Sequence, residues 1–99
     1  MEHPVDYERQ AELLKALGHP VRLRIVHELL RRGCRNVRCI ETHTGVSQSG
    51  ISQHLQKLRS VGAVTAERSG NEVHYRAATP QVALLVAALT GEEADSYVL

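Results

Sequence analysis

Cys34 and Cys39 are the only cysteines in this 99-residue chain. Two are too few for a disulfide framework, and their spacing is not the CxxC of zinc knuckles or thioredoxins. Reduced thiols are the expected resting state. No apolar run approaches about 18 residues, and the first residues lack a basic segment followed by an apolar run and a cleavage site. The expectation from these absences is a cytoplasmic protein with no spanning helix, no secretory leader and no membrane partner. Gly-rich phosphate loops and paired carboxylates are missing too, which argues against an enzyme even though Cys and His together can make a nucleophile and base. Low-complexity stretches are absent and aromatics are limited to three tyrosines. With 42% apolar and 23% charged residues, the composition is that of an ordinary globular domain. A chain this short buries only a little over roughly 60% of its unfolded surface when it folds alone, so pairing with a second copy would help.

What the chain does have is an uneven distribution of charge. The net charge is only +1, yet Lys15 to Arg76 holds eleven bases against four acids, a local +7. The compensating acids sit at the ends: Glu2, Asp6, Glu8 and Glu12 in front, Glu92, Glu93 and Asp95 behind. A basic middle between acidic ends suits a polyanionic ligand.

Periodicity predicts α-α-α-α-β-β-α. Asp6 caps a first helix with an apolar stripe through Leu13, Leu14 and Leu17, which stops at Gly18. Pro20 opens a second, with Val21, Ile25, Val26, Leu29 and Leu30 inward, which ends at Gly33. Asn36 caps a short third helix with Val37 and Ile40 inward, and Thr44 and Gly45 make a tight turn. Ser47 caps the fourth, whose stripe is Ile51, Leu55 and Leu58 before Gly62. Residues 64–68 and 73–77 are β-compatible around the turn sequence Ser69, Gly70, Asn71 and Glu72. Thr79 and Pro80 begin a fifth helix with almost no polar face, whose apolar surface a second copy covers most easily together with helix one. Residues 1–91 form one domain for DNA binding and dimerisation, and 92–99 read as a flexible C-terminal tail.

Two short helices joined by a Gly turn, the second amphipathic and followed by a hairpin, have the layout of a winged helix-turn-helix. On the fourth helix Ser49, Ser52, Gln53, Gln56 and Ser60 fall on the side away from the core, where short and amide side chains can approach base edges. Gly50 removes a side chain near the docking end. Ser47 and Gln48 stand at the helix N-terminus, whose free N–H groups suit a phosphate, and Lys57 and Arg59 reach phosphates beside the groove. Arg68, Asn71, His74 and Arg76 are the wing's candidates. His54 either touches DNA or hydrogen-bonds within its own domain. An isolated polar helix face is usually only solvated; the turn, the hairpin and the basic segment together make it a reading face.

The stretches LLKALGHPVRLRIVHELL, GVSQSGISQHLQKLRSVGAV and ERSGNEVHYR resemble the ArsR/SmtB family of bacterial repressors across nearly the whole domain. The resemblance implies a homodimer that leaves its operator, an imperfect palindrome, on sensing a small inducer. It also implies that Gln48, Ser49, Ser52, Gln53 and His54 are recognition-helix contacts and that Arg68 to Tyr75 is the wing. The family's CVC-type metal motif is replaced by Asn36, Val37 and Arg38, and Pro80 to Thr90 has no Asp or His for a zinc site between fifth helices. Cys34 and Cys39 remain as a sensor for redox, persulfide or metalloid chemistry, with nearby arginines favouring thiolates. The alternative is that Cys39 is a small apolar residue and Cys34 an incidental thiol, in a regulator or architectural DNA binder without cysteine sensing. His3, His27 and His43 are candidates to complete a metal site with either thiol. No cofactor is otherwise implied.

Overall fold

A computed structural model describes residues 4–33 and 36–98. The element order is α1 (Tyr7–Leu17), α2 (Pro20–Arg32), α3 (Val37–Thr44), α4 (Gln48–Ser60), β1 (Val64–Ser69), β2 (Glu72–Ala77) and α5 (Pro80–Thr90), then a 3-10 turn at Ala94–Ser96. Each helix starts where a side chain can accept from a free N–H of its first turn. Asp6 accepts from Arg9, Asn36 from Cys39, Ser47 from Gly50 and Thr79 from Val82. α2 uses an imidazole instead: His19 Nδ1 accepts from the Val21 N–H at 3.1 Å.

The core is built on α2, whose Ile25, Val26 and Leu30 are fully enclosed. Ile40 of α3, the α4 stripe of Ile51, Leu55 and Leu58, and Val82 and Val86 of α5 close around it, each at 0% exposure. The buried Glu28 of α2 is paired one turn on with Arg32, Nε to Oε2 at 2.7 Å. β1 and β2 form a two-stranded antiparallel hairpin, Val64 opposite Ala77 and Ser69 opposite Glu72, with Gly70 and Asn71 as the connecting pair. Not all the apolar periodicity is satisfied within the chain. Leu14, placed in the inward stripe of α1, is 56% exposed, and Leu84 and Leu89 of α5 are 62% and 68% exposed.

The segment after Gly91, read as a loose tail, packs along α2. Tyr97 is only 9% exposed and the Val98 N–H donates to the Leu30 carbonyl at 2.7 Å. Glu92 is the node of this strap: one carboxylate oxygen receives His27 Nε2–H and the Tyr97 hydroxyl, and the other faces Arg31 Nε at 3.4 Å. The His27 hydrogen bond first, and the Tyr97 hydroxyl second, hold the Glu92 carboxyl at about 2, below its ordinary 4.5. A carboxyl lowered in the fold contributes stability above its unfolded value, and that contribution is lost as pH falls from 4.5 towards about 2. Glu92→Gln should therefore speed hydrogen exchange of the Val98 amide at neutral pH. An unchanged rate would mean that the backbone bond alone holds the strap.

Among the described residues no helix is long and apolar enough to cross a membrane. His3, Cys34 and Arg35 lie outside the described residues.

Candidate nucleic-acid interface

The turn between α3 and α4 is fixed by local chemistry. Gly45 has φ +73°, a conformation that a side chain would strain, and its N–H caps α3 on the Glu41 carbonyl at 2.8 Å. The Thr44 hydroxyl donates to Ile40 O at 2.7 Å and accepts from the Val46 N–H at 3.2 Å, so the chain leaves α3 directly into the Ser47 cap. A Cβ on Gly50 would stand 3.1 Å from that capping hydroxyl and 3.3 Å from Val46, so this glycine serves the turn itself. Arg24 Nη2 reaches the His43 carbonyl at 3.0 Å and ties α2 to the end of α3.

With Ile51, Leu55 and Leu58 enclosed, α4 leaves its other side open. Gln48, Ser49, Ser52, Gln53, Gln56, Lys57, Arg59 and Ser60 are all exposed, as is the capping Ser47. Gln48 is engaged with Glu41, Nε2 to Oε1 at 3.2 Å. The hairpin stands beside this face. Residues paired across it share a face, so Val64, Ala66, Arg68, Val73, Tyr75 and Ala77 lie on one side and Thr65, Glu67, Ser69, Glu72, His74 and Arg76 on the other. Val64 and Ala77 are buried, which makes theirs the inner side. A cleft of about 320 Å³ between α4 and the hairpin is lined by Ser52, Gln53, Leu55, Gln56, Arg59 and Tyr75. A second, about 440 Å³, lies between the start of α3, Gln48 and the hairpin, with Arg38 and Tyr75 in its wall.

The sequence profile of the bacterial regulatory proteins of the arsR family matches residues 19–66. The transcriptional repressor PagR of Bacillus anthracis is 39% identical over 85 residues, covering 83% of this chain and 85% of the relative. This chain belongs to the arsR family. The crystal structure of PagR superposes with a TM-score of 0.75 at 38% identity, covering 84% of this chain and 94% of PagR. The HTH-type transcriptional repressor SmtB of Mycobacterium tuberculosis is 45% identical over 86 residues, covering 84% of this chain and 63% of SmtB. The solution structure of the homodimeric winged helix-turn-helix domain Mb0332 from Mycobacterium bovis, a possible ArsR-family transcriptional regulator, gives a TM-score of 0.77 at 35% identity. It covers 92% of this chain and 88% of that one. The five helices and hairpin are thus a winged helix-turn-helix of ArsR/SmtB type, a DNA-binding transcription regulator and not an enzyme.

Within the ArsR fold the candidates for DNA contact separate into groups. The α4 residues share one open side, whereas Arg68 and Arg76 are on opposite faces of the wing and do not converge. His74 is partly buried and bonded to Glu72, Nε2 to Oε2 at 3.1 Å, with Glu67 opposite it on β1. Asn71 is exposed at the wing tip and Gly50 is partly buried. Lys57 and Arg59 open onto α1, where Arg9 adds a third cation to a crevice that also holds Glu12. His54 is partly buried against His19. Tyr75 and Arg38 are absent from the site residues drawn from sequence, although alternation within β2 puts Tyr75 on the α4 side.

Cys39 is partly buried in the first turn of α3 and packed on the core. Among the described residues no group of three or more His, Cys, Asp or Glu side chains is arranged to hold a metal ion. His27 is committed to Glu92, and His43 is exposed at the far end of α3 from Cys39.

Proposed function

We propose that this chain is a homodimeric, sequence-specific repressor that lays α4 in the major groove of an operator and leaves it on sensing an inducer. The observation that carries this is α4 itself: three side chains at 0% exposure anchor it, and every Ser, Gln, Lys and Arg of the helix is exposed. Gln53 and Gln56 can pair with adenine, Ser49 and Ser52 permit close approach, and Lys57 and Arg59 meet phosphates. Ser47 and Gln48 bring the helix N-terminus to the backbone, and Arg68, Asn71, His74 and Arg76 follow it from the wing. The exposed Leu14, Leu84 and Leu89 support pairing through α1 and α5, as does the homodimeric state of the Mycobacterium bovis relative. A two-fold dimer predicts an imperfect palindrome with half-sites about one helical turn apart. Such a regulator works in the cytoplasm, where the chromosome is.

The test is a fluorescence-anisotropy titration of duplexes selected by the protein from a random pool, across a salt series. Selected duplexes should bind about 10³-fold or more tighter than unselected DNA. Gln53→Ala should cost roughly 1–3 kcal/mol on the selected duplex and relax the preference at one base position. Equal binding of selected and unselected DNA would reduce the protein to an architectural binder.

For the inducer we propose thiol chemistry at Cys34 and Cys39. The support is the place of Cys39 in α3, partly buried and next to Ile40, which packs in the core with the α4 stripe. Cys34→Ser and Cys39→Ser should abolish any release of DNA by peroxide, polysulfide or arsenite. A wild type insensitive to all three has another inducer.

A further inference from the structure

His54 stands midway along α4, on neither its buried stripe nor its open side. Its ring lies against that of His19, with centroids 4.8 Å apart and planes inclined at 50°. His19 is held in place. As the N-cap of α2 it accepts the Val21 N–H on Nδ1, which requires that nitrogen to be unprotonated and puts the ring proton on Nε2. One residue beyond Val21, Arg22 fastens the same corner to the end of α1 by donating from Nε to the Ala16 carbonyl at 2.7 Å. The end of α1, the start of α2 and the middle of α4 therefore meet around two imidazoles and a guanidinium. Among the described residues, the charged and titratable groups that shift His54 are His19, the cap of α2, and Arg22 in its first turn, and neither is acidic.

We infer that His54 is a positioning residue: its ring, resting on the capping ring of His19, sets α4 on the start of α2, and this contact makes specific DNA binding weaken on mild acidification. The inference rests on the DNA-binding reading of α4. Protonation of His54 adds a cation beside His19 and Arg22. Burial, then His19, then Arg22 hold the His54 imidazole below its ordinary 6.5. A histidine lowered in the fold leaves stability intact above the unfolded value, and the loss begins as pH falls through 6.5. The sign is opposite to that of a histidine touching phosphate, which gains affinity as it becomes charged.

The test uses the full chain and a duplex selected from a random pool by the wild type at pH 8. Affinity is read from pH 8 to 5.5 at constant salt for wild type, His54→Gln and His19→Ser; serine keeps a capping oxygen and removes the ring. Wild-type affinity should fall, by at most about tenfold per pH unit for each proton taken up. Both variants should flatten that fall and keep the wild-type order of preference among base-substituted duplexes. The thermal midpoint of the free wild type should drop over the same interval, and by less in His54→Gln. Tighter binding of the wild type on acidification, an unchanged slope in both variants, or an altered base preference in His54→Gln would each overturn the inference. A wild type that binds no duplex at any pH overturns the DNA-binding reading and the inference with it.

Discussion

Leu84→Glu should leave the protein monomeric and lower its affinity for a two-half-site duplex by roughly 10²–10⁴-fold, the gain that linking two binding modules typically gives. Leu84 is 62% exposed on a helix whose opposite side, through Val82, Ala83, Val86 and Ala87, is buried in its own chain. A carboxylate there meets water in the single chain and costs the fold little, but between two apolar helices it would be a buried, unpaired charge. Sedimentation equilibrium checks the first half of the prediction and anisotropy the second. A Leu84→Glu protein that remains a dimer would place the contact elsewhere.

Leu55→Ala should cost about 2–5 kcal/mol, the loss of buried methyl groups together with the cavity they leave. Leu55 is at 0% exposure in the middle of the α4 stripe, between Ile51 and Leu58. Domains of this size are held by roughly 5–15 kcal/mol, so the substitution removes a large part of the whole. A urea titration followed by circular dichroism measures it. A loss under about 1 kcal/mol would show that α4 is held by something other than this stripe.

The elements were legible because their signals are local. Asp6, Asn36 and Ser47 are short polar side chains placed just before apolar-periodic runs and cap as expected, and Thr79, read with Pro80 as the start of α5, caps it as well. His19 was not foreseen as a cap, because Pro20 already explained the start of α2 and an imidazole is an uncommon acceptor there. The period of α1 marked Leu14 as apolar-facing, but periodicity does not say whether the covering surface comes from the same chain or another. The wing's alternation was visible, yet the separation of Arg68 from Arg76 follows only from the register, Arg68 opposite Val73 and Arg76 opposite Thr65. The α4 side of the site was read from its own periodicity with the Gly turn before it and the hairpin after it, whereas Tyr75 and Arg38 enter only through the clefts that the hairpin and α3 make with α4. Least legible was the strap, since His27 and Glu92 are 65 residues apart and no pattern in either stretch points to the other.

That separation bears on how the molecule is made. Synthesis runs at about 5–20 residues per second, so α2 leaves the ribosome several seconds before its clasp exists. Until Tyr97 and Val98 arrive, the Leu30 carbonyl near the end of the central helix must find water, and that helix exists well before the segment that closes over it.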